Sequence, residues 1–116
     1  MRIRLAGDRS KYGAMKQTVD GITFDSKKEA TRYGELKLLQ RASEIGGLRW
    51  QVEFPLTVLA TDGELVGIGC YVADFVYTER GRVDLTIEDT KGFRTPLYRW
   101  KRKHVEVQYG ITIKET

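Results

Sequence analysis

The chain has little of what many small proteins rely on. It carries one cysteine, Cys70, and one histidine, His104, in 116 residues. A single cysteine excludes an internal disulfide framework, and the pair together excludes a Cys/His zinc site. No apolar run approaches the length of a membrane-spanning helix, so no membrane partner is expected. The opening Met1-Arg-Ile-Arg-Leu5 is too short and too charged for a secretory signal. Repeats and low-complexity segments are absent. A thiol-poor chain of this kind is expected in a reducing cytoplasm.

What is present is an ordinary globular composition, with 41% hydrophobic residues. That suits a single soluble domain over 1–116 with one core. Lys and Arg outnumber Asp and Glu by 20 to 16, for a net charge of +4. The excess is mild, but segment 91–103 holds Lys91, Arg94, Arg99, Lys101, Arg102 and Lys103 and no acid. Such a segment is either a solvated helix face or a phosphate-contacting surface.

Residues 1–17 are basic and aperiodic and read as an extended or mobile arm. Asp20-Gly21 is a two-residue turn signal between short strands at Lys16–Val19 and Ile22–Phe24. Ser26 with Glu29 forms a Ser-x-x-Glu capping box, so a helix starts there. Ala30, Tyr33, Leu36, Leu39, Ala42 and Ile45 give it a buried stripe, and Gly46-Gly47 is expected to end it. Strands follow at Leu48–Ala60, Glu64–Thr78 and Arg82–Lys91, joined by turns at Asp62-Gly63 and Arg80-Gly81. Pro55 suggests a bulge or an edge strand, and Gly67 and Gly69 suggest a break. Thr95-Pro96 starts a second helix, with threonine as N-cap and proline at the first helical position. Its expected inner face is Leu97, Trp100, His104, Val107 and Gln108. Gly110 ends it, and Ile111–Lys114 reads as a last strand. Trp50, Trp100 and Cys70 read as core.

Two strands carry the candidate chemistry. Residues two apart share a strand face, so Leu85, Ile87, Asp89 and Lys91 form one row and Val72, Asp74 and Val76 another. Carboxylates at the edge of a core cost desolvation energy unless a cation pairs with them. A divalent ion would do so, and an ion beside a lysine is equipment for phosphodiester cleavage. The carbonyl of Thr90 can add a ligand, and Lys91 can orient or deprotonate a water. The alternative is a cross-strand ion pair near a turn. Glu29 borders the buried stripe and can reach the metal, or can simply cap its helix. Glu88, on the opposite face from Asp89, is left out of the set. Lys11, Lys16, Arg94, Tyr98, Lys101, Arg102 and Lys103 are candidate nucleic-acid contacts.

These residues resemble a known family. Lys11-Tyr-Gly-Ala14, Phe24-Asp-Ser-Lys-Lys-Glu-Ala30, Tyr71-Val-Ala-Asp-Phe-Val-Tyr77 and Glu88-Asp-Thr-Lys-Gly92, followed by Thr95, Tyr98 and Lys101, are similar to small phage-encoded members of the PD-(D/E)xK nuclease superfamily. The pattern resembles the endonuclease I-type Holliday junction resolvases of short-tailed phages and covers most of residues 11–114. Ala73 stands where proline is usual, and Asp89 where glutamate is commoner.

The resemblance implies an α/β, restriction-endonuclease-like core with a mixed central β-sheet flanked by helices. It implies Glu29, Asp74 and Asp89 as catalytic, metal-binding acids and Lys91 as the catalytic lysine, to which the reading of the strand adds Thr90 as a metal ligand. The cofactor is then Mg²⁺ or Mn²⁺. The reaction is hydrolysis of DNA phosphodiesters to 5′-phosphate and 3′-hydroxyl ends. The favoured substrate is branched DNA such as a four-way junction, the expected assembly is a homodimer, and the location is the bacterial host cytoplasm. A nicking or double-strand endonuclease in restriction, transposition or genome processing is an alternative, as is a non-catalytic DNA-binding protein of the same fold.

Overall fold

A computed structural model describes residues 15–90 and 94–116. The basic arm, apart from its last residues, lies outside them, as do Lys11, Lys91 and Gly92. The described fold is α/β: a four-stranded mixed sheet with a helix against each face, and a separate two-stranded hairpin.

The hairpin comes first. β1 (Gln17–Val19) pairs antiparallel with β2 (Ile22–Phe24). Asp20 and Gly21 both take positive φ, 52° and 75°, as the primed turn of a tight hairpin requires. α1 (Lys27–Arg41) then starts at Ser26, whose Oγ accepts from the Glu29 N–H at 3.1 Å. Thus one half of the expected capping box is in place.

α1 ends at Arg41, four residues before Ile45, the end that the glycine pair suggests. Ser43 takes φ 62°, and the Ser43 and Glu44 N–H groups donate to the carbonyls of Gln40 and Leu39. This is a Schellman ending with serine where glycine is usual. Ile45 therefore lies in a strand, Leu39 is exposed, and only Ala30, Tyr33 and Leu36 of the expected stripe are buried helical residues. Gly46-Gly47 serves the sheet instead. The register between Gly46 and Arg49 shifts, and Gly47 at φ 62° forms a bulge.

β3 (Ile45–Leu59), β4 (Leu65–Glu79) and β5 (Leu85–Asp89) form an antiparallel meander. β3 is an edge strand, which accommodates Pro55. β4 is continuous through Gly67 and Gly69, with a register irregularity there opposite Leu56 and Thr57. The chain crosses over through α2 (Pro96–Tyr109) and returns as β6 (Ile113–Glu115), parallel to β5. Thr95 caps α2 through its Oγ1, which accepts from the Tyr98 N–H at 3.0 Å, and Gly110 closes it at φ 64°.

The α1 face of the sheet packs Phe24, Tyr33, Leu36, Leu48, Phe75 and Tyr77. The α2 face packs Leu56, Tyr71, Ala73, Val76, Ile87 and Val105. Strand alternation changes phase between these two sets. Trp50 and Phe75 lie on the α1 face, whereas Val52 and Ala73 lie on the α2 face. The residues between them, Gln51 and Asp74, absorb the switch, and Gln51 does so with a left-handed φ of 52°. The expected row of Val72, Asp74 and Val76 is therefore broken at Asp74.

α2 turns a different side inward from the one its apolar spacing suggests. Val105 is its buried residue, with Tyr98 packed beside it. Leu97, Trp100 and Val107 are exposed, Trp100 at 76%. Trp50 is half in solvent, edge-on to Tyr33, while Cys70 is buried as expected. Among the described residues no helix is long and apolar enough to cross a membrane.

Candidate active site

The last paired residues of β4 and β5 are Phe75 and Glu88. One step beyond them stand Asp74 and Asp89, where the ladder stops. There the Asp74 side chain takes over the pairing, with Oδ2 accepting from the Thr90 N–H at 2.7 Å. Asp89 is fully buried and Asp74 is 6% exposed. The Tyr71 hydroxyl, from the α2 face of β4, donates to Asp89 Oδ2. Burial, then the charge and hydrogen bond of Asp89, with Asp74 contributing, push the Tyr71 hydroxyl far above its ordinary range. Tyr71 therefore stays a proton donor that fixes the Asp89 carboxylate.

Around this pair runs a polar network that reaches both faces of the sheet, with Tyr98 and Glu115 on the α2 side and the Thr90 and Thr116 hydroxyls beside α1. The Asp89 carbonyl accepts from the Thr116 N–H at 2.9 Å, and the Thr90 and Thr116 hydroxyls are 3.2 Å apart. Tyr98 stacks obliquely near Tyr71, ring centroids 6.5 Å apart, and donates to Glu115 Oε2 at 2.7 Å. Arg94 and Arg102 reach the same Glu115 carboxylate at 2.9 and 3.0 Å. Burial would raise that carboxyl, but the bonds from Tyr98 and Arg94 and the charge of Arg102 outweigh it and lower it.

On the α1 face, the neighbouring Glu88 is fully buried and holds four donors. Arg32 bonds both its oxygens, at 2.5 and 3.0 Å, Tyr77 donates at 2.6 Å and Thr116 at 3.2 Å. Burial works to raise the Glu88 carboxyl, and these donors more than offset it, leaving it below its ordinary value.

The expected site residues thus separate into groups. Asp74, Asp89 and Thr90 come together. Glu29 is buried, at 9% exposure, in the first turn of α1. Lys91 follows Thr90 directly in the chain but lies outside the described residues, as does Lys11. Among the described residues no three His, Cys, Asp or Glu side chains are close enough to hold a metal ion. The pair alone still suits a hard cation. Two buried carboxylates form an oxygen donor set, and Mg²⁺ commonly binds through one or two carboxylates while keeping several waters.

Of the expected nucleic-acid contacts, Lys16 and Lys103 are exposed and Lys101 is half-buried. Arg94, Tyr98 and Arg102 are engaged with Glu115, and Arg102 also with Glu106 at 3.3 Å. Sequence reasoning missed Tyr71, Arg32, Glu88 and Glu115. Strict alternation from Phe75 would put Tyr71 and Ala73 on the face away from Asp89, so the switch at Asp74 is what hid Tyr71 from the sequence. Nothing local marks Arg32, because its partner is 56 residues away.

No curated protein and no solved structure matches this chain. A family model described as "Protein of unknown function (DUF1064)" matches residues 9–115, nearly the whole length. The chain belongs to the DUF1064 family.

Proposed function

We propose that the chain is a metal-dependent DNA endonuclease acting on branched DNA, most simply a four-way junction, as a homodimer. One observation carries the reading: two acids 15 positions apart, Asp74 and Asp89, meet buried where β4 and β5 part, with each carboxylate fixed by a dedicated donor. Two carboxylates buried together at the end of a sheet are costly unless a cation or hydrogen bonds offset the charge, and sites that keep such a cost are candidates for function. The mixed sheet with a helix on each face is also the architecture that the nuclease resemblance implies.

In this reading Asp74, Asp89 and the Thr90 carbonyl would hold Mg²⁺ or Mn²⁺. When bound, such an ion polarises a phosphoryl oxygen and lowers the pKa of a water. The chain's own residues do the rest. Tyr71 and the Thr90 N–H hold the two carboxylates in one orientation, so little reorganisation is needed when a phosphate arrives. Lys91, next after Thr90, positions the attacking water or takes its proton. Glu29 joins as a third acid only through the resemblance. Exposed cations, Lys16 among them, contact phosphates rather than bases, so shape is read in preference to sequence.

The test compares cleavage of a four-way junction with that of a linear duplex of the same sequence, with and without Mg²⁺ or Mn²⁺. Faster metal-dependent cleavage of the junction supports the reading. Equal rates would leave an endonuclease of another purpose, and no cleavage with either metal would leave a DNA-binding protein.

A further inference from the structure

The apolar stripe that the sequence writes on α2 has its own side of the helix. Leu97, Trp100 and Val107 recur at helical spacing, yet Tyr98 and Val105 are what face the sheet. α2 therefore has two apolar sides, and the monomer covers one. The uncovered side does not stop at the helix. It adjoins the far end of the β3–β4 hairpin, where Leu59 and Leu65 are 71% and 72% exposed. Val58, Val66 and Ile68 are exposed beside them. Two adjoining grooves of about 440 Å³ each run between helix and hairpin, with Trp100 and His104 in the walls of both.

Scattered exposed apolar residues are normal, but a contiguous patch of this size is not, because soluble monomers rarely expose more than a few hundred Å² in one place. From their fractional exposures, the seven of these residues that line the grooves, all but Val66, present on the order of 800 Å², near the ~800 Å² per partner of a standard-size interface.

We propose that this surface seats a second copy of the chain, related by a two-fold axis. Its charges favour a copy over another partner. The hairpin turn carries the exposed acids Asp62 and Glu64, while α2 carries the exposed cations Arg99 and Lys103. Among the described residues none of the four makes an ion pair. In a two-fold dimer each surface meets itself reversed, so the acidic turn of one copy lies against the basic helix of the other, twice over. The apolar residues then fill the centre, Trp100 as the aromatic anchor, and the charges form the rim. This is the interface of the proposed homodimer. Its test reads mass and not cleavage, so it fails separately from the nuclease reading.

The experiment is light scattering and sedimentation of the full chain with neither DNA nor metal. The wild type is expected at twice the chain mass. Trp100→Glu, a change at an exposed position, is expected to keep the circular dichroism of the fold and to weaken the dimer by roughly 30-fold or more. A turn-reversed chain, Asp62→Lys/Glu64→Lys, and a helix-reversed chain, Arg99→Glu/Lys103→Glu, should each dimerise poorly. Mixed together they should form a heterodimer, since both rims are then complementary. A wild type that is monomeric up to roughly 100 µM, where even a weak homodimer would associate, overturns the proposal. So does a dimer that survives Trp100→Glu, or two reversed chains that do not pair. A Trp100→Glu chain that loses DNA binding at unchanged mass would assign the patch to nucleic acid instead.

Discussion

Arg32 on α1 grips Glu88 on β5 with two parallel hydrogen bonds, Nε to Oε1 at 2.5 Å and Nη2 to Oε2 at 3.0 Å. The guanidinium fork matches the carboxylate, and the pair fastens the helix to the strand that ends in the acid site. Glu88 is fully buried, so removing its partner leaves a desolvated charge. Arg32→Ala should cost about 3 kcal/mol of stability in urea unfolding. The double variant Arg32→Met/Glu88→Leu should recover part of that loss, because an apolar pair leaves no buried charge behind. A single variant no less stable than the wild type would show that the clasp does not hold the helix.

The same carboxyl sets a pH dependence. In the folded chain Glu88 lies below the ordinary value of 4.5. A lowered acid stabilises the fold above its unfolded value, and that stabilisation is lost as pH falls through the folded one. The thermal midpoint should therefore drop as pH falls below about 4.5. Glu115, also lowered, adds to the fall. In Glu88→Gln the drop should be shallower. A wild-type slope unchanged in the variant would contradict the assignment.

Ser43 ends α1 in a left-handed conformation, φ 62°. An L-residue there is strained, whereas glycine is not, although glycine also gains entropy in the unfolded chain. Ser43→Gly should raise stability by roughly 0.5 kcal/mol, read as a shift in urea midpoint at constant slope.

That serine also shows why parts of the fold were hidden in the sequence. The helix starts at Ser26 and Thr95 were legible because capping is local chemistry, and so were the turns at Asp20-Gly21, Asp62-Gly63 and Arg80-Gly81. The end of α1 was not, because Gly46-Gly47 offered a better glycine signal than the serine that performs the capping. On α2 the periodicity was real, but spacing alone does not say whether the sheet or solvent lies on that side. Asp74 and Asp89 were legible as a pair because each was an acid set in an apolar strand row, although the row expected around Asp74 is broken there. The phase switch at Gln51 and Asp74, and the partnership of Glu88 with Arg32, depend on contacts far apart in the chain, which no local pattern encodes.

Tyr71 is buried and donates to Asp89, so under the proposed function it orients that carboxylate. Tyr71→Phe should raise the metal concentration needed for half-maximal cleavage by about 10-fold, with a smaller effect at saturating metal. A variant with an unchanged metal dependence would remove the hydroxyl from the site. Because no three acids among the described residues come close enough to hold one ion, Glu29→Gln should lose less activity than Asp74→Asn or Asp89→Asn. The reverse order would make Glu29 a full ligand.

The most direct measurement is cleavage of a labelled four-way junction in Mg²⁺ or Mn²⁺ by the wild type and by Asp89→Asn, with DNA binding measured in parallel. The wild type should cut and Asp89→Asn should not, while both bind the junction with the same salt-sensitive affinity, since phosphate contacts and acids do separate work. An Asp89→Asn chain that cuts as fast as the wild type, or a wild type inert in both metals, would contradict the account.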